Sequence, residues 1–304
     1  MTITPTLELS PVVGPDPEDC LILPDGSIVS GVDDGRLVKI SADFQTVETL
    51  TDTGGRPLGL TLRGEDEIIY CDTRRGLWSY SMSSGENVCL ASDFEGTPIN
   101  FANNPDIGAD GTIYFSASTT ENPLEESTKD IVDGNTSGRL FALSPEGDLR
   151  LLHSGLQFAN GVAVLPDQSA VLVAQTGRTC IDRVDLATGA VSSFASDLPG
   201  MPDNLSVGED GRIWVAFPVE WASPIKQVMA LPKALRWIIA RLPKALQPKE
   251  PKFFMVGVLS AAGEIEELYQ RRESAFYFCT GVRVHDGTAY CGTIRGERIA
   301  RFKL

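Results

Sequence analysis

Glu18, Asn103, Asn160 and Asp203 each stand seven residues ahead of an acid, respectively Asp25, Asp110, Asp167 and Asp210, and Asn204 follows Asp203 directly. Each acid opens a turn: Asp25-Gly26, Asp110-Gly111, Asp167-Gln168 and Asp210-Gly211. A single Asp or Asn before a strand only marks a turn. The same spacing at four places marks a register. If those positions converge, two carboxylates and several amide oxygens share one small space. Carboxylates confined together repel, and one takes a proton unless a cation lies between them. An all-oxygen donor set that includes neutral amides suits calcium first, which takes about six to eight oxygens, whereas magnesium keeps most of its waters. Zinc would draw on histidine or thiolate. Calcium is therefore the expected ion, with other divalent cations behind it.

Convergence requires repeated elements, and the chain has them. Asp25-Gly26, Asp110-Gly111, Asp210-Gly211 and Asp286-Gly287 precede the strand-like runs "SIVSGV", "TIYFSA", "RIWVAF" and "TAYCGT". Glu65-Asp66 before "EIIYCD" and Asp167-Gln168 before "SAVLVAQ" are weaker copies, giving six units. Asp-Gly between apolar runs is a strong hairpin signal, because tight turns need positive φ. A further strand follows in "GRLVKI", "RGLWSY", "GRLFAL" and "ERIARF", then a polar turn, then often a fourth strand such as "TVETL". The pattern predicts an all-β, six-bladed propeller of four-stranded antiparallel blades, one domain over residues 1–304. Innermost strands run along the central axis, so equivalent positions at their starts meet there. The same count of seven gives Gly59 in blade two and Cys279 in blade six. The last blade ends after "RIARFKL", and "TLELSPVV" near the N-terminus is predicted to supply its missing outer strand. Closure removes two unpaired sheet edges.

Charge narrows the partners. The chain carries 41 acidic and 26 basic residues, a net charge of −15. Such a surface repels phosphates and excludes non-specific nucleic-acid binding. The first twenty residues are too polar for a secretion signal. No apolar run approaches the roughly 20 residues of a spanning helix. Six cysteines are scattered without a CxxC pair, which fits a reducing, cytoplasmic setting with no disulfide framework.

"GPDPEDCLILPDGSIVSGVDDGRLVKI", "RPLGLTL", "FANGVAVLPD", "LPGMPDNLSVGEDGRIWVAF" and "GERIARF" resemble, in this order, the strictosidine-synthase-like branch of the SMP-30/gluconolactonase/paraoxonase group of six-bladed propellers. The resemblance spans nearly the whole chain. It implies a calcium-dependent hydrolase of lactones or esters, with the hub metal polarising the substrate carbonyl. The group's metal set falls on Glu18, Asn103, Asn160, Asp203 and Asn204, with Asp203 as general base or nucleophile. Two departures stand out. Paraoxonases carry a histidine pair near the metal, but this chain has only His153 and His285, neither in register, and Leu58 aligns with the first of the pair. Strictosidine synthase is a metal-free condensing enzyme with a glutamate for which this chain shows no clear equivalent. A non-catalytic binding or scaffold propeller with a structural metal, and a condensing enzyme, are the alternatives.

Specificity is expected from the loops on the metal's face, with Leu58, Cys279 and Trp221 lining the substrate and a small, hydrophobic molecule as ligand. Two loops are long: an acidic one at about 118–137 and one at about 218–252. The second contains "LPKALRWIIARLPKAL", with Leu231, Leu235, Ile238, Ile239, Leu242 and Leu246 at helical spacing. Lys226, Lys233, Arg236, Arg241, Lys244, Lys249 and Lys252 oppose only Glu250 across 226–252. A lid with its apolar face over the mouth, an ordinary helix packed on the rim, and a peripheral contact with anionic membrane or a partner are the readings of this insertion.

Overall fold

A computed structural model describes residues 1–242 and 252–304. Its strands form six blades around one axis, each a four-stranded antiparallel meander in its core. The inner strands are Leu21–Ile22, Pro57–Arg63, Ala102–Ile107, Ala159–Val164, Leu205–Val207 and Cys279–His285. The N-terminus closes the ring as expected: Glu8–Leu9 pairs antiparallel with Ala300–Lys303 and completes blade six. Arg301 grips Glu8 through two 2.8 Å hydrogen bonds across this seam. A second clasp was not anticipated. Thr2–Ile3 lies parallel to Ile265–Arg272 and adds a fifth strand to blade five, so the N-terminus ties two blades together.

Side-chain alternation explains the core. In the blade-five strand Ile213–Ala216 and the Phe217 that follows it, Ile213, Val215 and Phe217 face blade four, while Trp214 and Ala216 face blade six. Successive residues of a strand point to opposite faces. Both faces of a blade are covered by its neighbours, so the middle strands read as nearly unbroken apolar runs rather than alternating ones. Six buried clusters result, one between each pair of adjacent blades. All six thiols are free. Among the described residues no helix is long and apolar enough to cross a membrane.

The two long loops carry the helices. α1 (Ser127–Asp133) lies in the blade-three loop and ends on Gly134 with φ 69°. In the blade-five insertion, α2 (Ile225–Met229) is followed by α3 (Lys233–Ala240), with Pro232 immediately before its first residue. Pro232 is the N-cap, and its carbonyl accepts the first helical hydrogen bond from the Arg236 N–H at 3.1 Å. α3 packs on α1: Arg241 pairs with Asp133 through hydrogen bonds of 3.1 and 2.9 Å, and the Arg236 guanidinium lies against Gly134. The apolar stripe noted in the sequence is only partly covered: Leu231, Ile239 and Leu242 are half-buried. Leu235 and Ile238 are exposed, because α3 turns Arg236 and Ala240 toward the body. Leu246, Lys244, Lys249 and Glu250 lie outside the described residues.

Candidate functional site

The hub is built in two tiers. In blades three and four the first ladder pair is Ala102 with Ala117 and Ala159 with Gln175, followed by bulges that reach Pro105 and Val162. Asn103 and Asn160 sit at the start of these bulges, where the backbone leaves the ladder and the side chain is re-aimed. Glu18 and Asp203 occupy the same place in blades one and five, where their N–H groups bond to Gly31 and Ala216. All four are nearly buried, with relative exposures of 3 % for Glu18, Asn103 and Asn160 and 8 % for Asp203.

The ladders shift the register by one residue in the other two blades. In blade two the bulge runs from Pro57 to Leu60, which puts Leu58, not Gly59, at the hub position. In blade six it runs from Cys279 to Gly281, which makes Thr280 the equivalent of Asn103. In blade two the loop has three residues, as in blade three, and Glu65 rather than Asp66 holds the place of Asp110; in blade six the reason is turn length. Blade six turns through Asp286 and Gly287 alone, both at positive φ and flanked by the pair His285–Thr288, whereas the blade-three turn spans Gly108 to Thr112. Cys279 therefore packs away from the axis, buried among Trp214, Val256 and Cys291. Thr280 donates its hydroxyl to the Glu18 carbonyl at 2.7 Å and accepts the Asn204 N–H at 3.0 Å, fixing both hub residues.

One residue further on, the second tier alternates large and small: Asp19, Gly59, Asn104, Gly161, Asn204, Gly281. Each glycine lets the polar residue of an adjacent blade approach. A Cβ at Gly59 would lie 2.4 Å from Asn104 Nδ2, and one at Gly281 would lie 2.7 Å from Asp19 Oδ1. Asp19 is fully satisfied here. It accepts from the Cys20 and Leu60 N–H groups, from Asn104 Nδ2 at 3.4 Å and from Arg283 Nη2 at 3.3 Å. Val162 N–H donates to Asn104 Oδ1.

The first tier, together with Asn204 of the second, is not satisfied, and the pattern is specific. Asn204 Nδ2 donates to Glu18 Oε1 at 3.0 Å, Asn103 Nδ2 to Ser118 Oγ at 2.9 Å and Asn160 Nδ2 to Thr176 Oγ1 at 3.1 Å. Every amide nitrogen is thus committed to protein. The remaining oxygens, Glu18 Oε2, Asn103 Oδ1, Asn160 Oδ1 and Asn204 Oδ1, are buried without a partner. Leaving a buried acceptor unpaired costs about 1–3 kcal/mol, so three hard oxygens orphaned in equivalent positions, with Asn204 Oδ1 one residue past the fourth, call for a cation. These residues fit calcium. Burial pushes the Glu18 carboxyl well above its usual range, with Asp203 and Asp19 adding repulsion that the Arg56 guanidinium and the Asn204 amide only partly offset. Burial likewise pushes Asp203 up to about 8, against a hydrogen bond from Asn160. A resident cation would relieve both.

Around the tier, Leu58, Phe101 and Phe158 form an apolar wall, and Leu124 and Ile131 from the α1 loop pack on it. Phe101 and Phe158 each precede a hub asparagine by two residues, at φ 55° and 57°, in the triplet Phe-Ala-Asn. That repeated triplet is the sequence signal for the wall. Thr73, Ser118 and Thr176 occupy matching places just past the second strands, and only Thr73 Oγ1 lacks a partner, because Leu58 offers it no amide. Trp221 sits in the blade-five insertion, half-buried, with its N–H on the Pro199 carbonyl and Lys226 6.0 Å from its ring. His153 contacts Asp182 at 3.5 Å from blade three's outer strand. His285 pairs with Glu209 at 3.0 Å at the far end of its inner strand from the hub.

Residues 25–224 match the model of the SMP-30/Gluconolactonase/LRE-like region. The chain belongs to this family. Within it, the chain is similar to the strictosidine synthase-like 6 protein of Arabidopsis thaliana, 31 % identical over 296 residues that cover 95 % of this chain and 79 % of that one. The family propeller recurs in a gluconolactonase from Xanthomonas campestris, with TM-score 0.71, 17 % identity, and 98 % and 89 % of the two chains covered. It recurs also in regucalcin, a calcium-binding protein from Agrobacterium tumefaciens, with TM-score 0.69, 11 % identity, and 99 % and 95 % covered. At these identities the structural likeness speaks for the fold.

Proposed function

We propose that the protein is a calcium-dependent hydrolase of small, apolar lactones or esters. The observation that carries the reading is the set of four buried, unpartnered oxygens on Glu18, Asn103, Asn160 and Asn204, one side of a cage whose remaining carboxylate is Asp203. Glu18, Asn103, Asn160, Asp203 and Asn204 would hold the ion. Bound calcium supplies a Lewis acid for a carbonyl oxygen. The chain's own residues do the rest. Asp203 is the more accessible of the two first-tier carboxylates, 8 % exposed against 3 % for Glu18. It takes a proton from the water that attacks the acyl carbon. The acyl C–O bond breaks, and the leaving alkoxide takes that proton from Asp203, which returns to its carboxylate form. Leu58, Phe101 and Phe158 hold the apolar part of the substrate and exclude bulk water.

Hydrolysis of a panel of aliphatic lactones and aryl esters tests this, measured with calcium, after chelation and after calcium is restored. Turnover that disappears on chelation and returns with calcium is expected. No turnover on any member, with chelation only lowering the melting temperature, would replace the hydrolase with a binding propeller pinned by a structural ion. Turnover indifferent to chelation would separate the hub oxygens from the chemistry and revive a metal-free mechanism.

A further inference from the structure

α3 leaves part of its apolar surface in solvent, although Ile239 is half-buried. Its side toward the body carries Arg236, beside Gly134 of the α1 loop, and the buried Ala240. Its outward side carries Leu235, Trp237 and Ile238, which are 47 %, 51 % and 53 % exposed. A surface helix ordinarily buries its apolar stripe, and single exposed apolar residues need no explanation. Three large ones on two turns, one of them tryptophan, form a patch. The charge of its own segment is inverted, although the α1 loop beneath it is acidic and pairs Asp133 with Arg241. Residues 221–242 hold four cations, Lys226, Lys233, Arg236 and Arg241, and no acid, within a chain of net charge −15. Arg241 stacks on the Trp237 ring at 4.3 Å while holding Asp133, so the ring is braced in its outward position. α1 in turn sends Ile131 onto the wall of Leu58, Phe101 and Phe158. The patch therefore lies at the same end of the propeller as the hub oxygens.

We infer that α3 docks this protein onto an anionic lipid surface, with Leu235, Trp237 and Ile238 entering the headgroup region and Lys226 and Lys233 facing the lipid charge. Exposed apolar side chains with an indole, flanked by lysines, match a membrane interface, where the ring is half in hydrocarbon and half in water. An acidic body needs such a local basic patch, because its overall field opposes approach to anionic lipid. Docking would turn the mouth of the propeller toward the bilayer, where apolar esters and lactones concentrate. The docking itself does not depend on the hydrolase reading.

The test is flotation of the full chain with vesicles of phosphatidylcholine alone and with about a third phosphatidylserine, at low and high salt. Binding to the anionic vesicles that weakens with salt is expected. Ile238→Ser and Trp237→Ala should each lower the partition coefficient about tenfold or more, and Lys233→Glu should lower it too. All three positions are exposed, so unchanged melting temperatures would confirm that folding is intact. No binding to anionic vesicles, or binding unaffected by these substitutions, overturns the inference. So does concentration-dependent self-association without lipid that Ile238→Ser abolishes, since a second copy would then cover the patch. Loss of turnover with intact vesicle binding would count against the hydrolase alone.

Discussion

Asn204 donates its side-chain amide to Glu18 Oε1 at 3.0 Å, joining residues 186 positions apart in the chain. This bond closes the hub between blades five and one. It also aims the problem. With Asn204 Nδ2 spent on Glu18 Oε1, Glu18 Oε2 and Asn204 Oδ1 are left buried and unpartnered.

Glu18→Gln should therefore act in opposite directions with and without metal. The substitution removes a carboxyl whose ionisation is opposed by burial and by Asp203 and Asp19. In chelated protein the melting temperature is expected to rise by a few degrees, on the order of 1 kcal/mol at this chain length. In saturating calcium it should fall below wild type, with calcium affinity down by about tenfold or more. Thermal scans and calcium titration calorimetry check both arms. A variant less stable than wild type under both conditions would mean that Glu18 is structural.

Stability without metal should depend on pH through the same carboxylates. Burial raises Asp203 from the ordinary 3.8 to about 8, and Glu18 is raised as well. A raised carboxyl holds its proton more tightly folded than unfolded. Its contribution is complete below pH of about 4 and is lost as pH rises through about 8. The melting temperature of chelated protein should thus fall between these limits. Calcium displaces those protons, so the increment it adds should grow over the same range. Equal calcium increments at both ends of the window would rule out this linkage.

Asp203→Asn keeps the shape and one oxygen but loses the proton acceptor. Turnover should drop by about 10²–10⁴, while calcium still binds with reduced affinity. Titration calorimetry with the variant separates lost chemistry from lost metal. Near-normal turnover would move the base elsewhere.

Thr73 and Thr176 stand at matching places in neighbouring ladders, yet their substitution by valine should differ. Thr176 Oγ1 accepts from Asn160 and donates to the Pro202 carbonyl at 2.8 Å, so Thr176→Val strands two buried groups. A loss of about 1–3 kcal/mol is expected. Thr73 Oγ1 has no partner, so Thr73→Val should be neutral or slightly stabilising. Denaturant unfolding of the two variants measures the contrast. Equal losses would show that the two hydroxyls do equivalent work despite Leu58.

Much of the hub was legible because a propeller repeats. A turn acid and a fixed offset located Glu18, Asn103, Asn160 and Asp203, and the N-terminal outer strand followed from a last blade that ran short. The offset failed where the turn changed. Blade six uses a two-residue hairpin, and in blade two the count runs from Asp66 where Glu65 holds the turn position, so the count fell one residue away from Thr280 and Leu58. A period-two element turns a single-residue slip into a change of face, which is why Cys279 ended in the core. Sequence alone determined which oxygens meet at the axis, since local turn chemistry and repeat length are written residue by residue. Tertiary structure decided which of those oxygens stay unpaired, because that depends on Ser118, Thr176 and Glu18 arriving from other strands and blades. It also decided the outward face of α3. Helical spacing specifies an apolar stripe, but its direction was chosen by Asp133 and Gly134 on a loop about a hundred residues earlier, where Arg241 and Arg236 found their contacts.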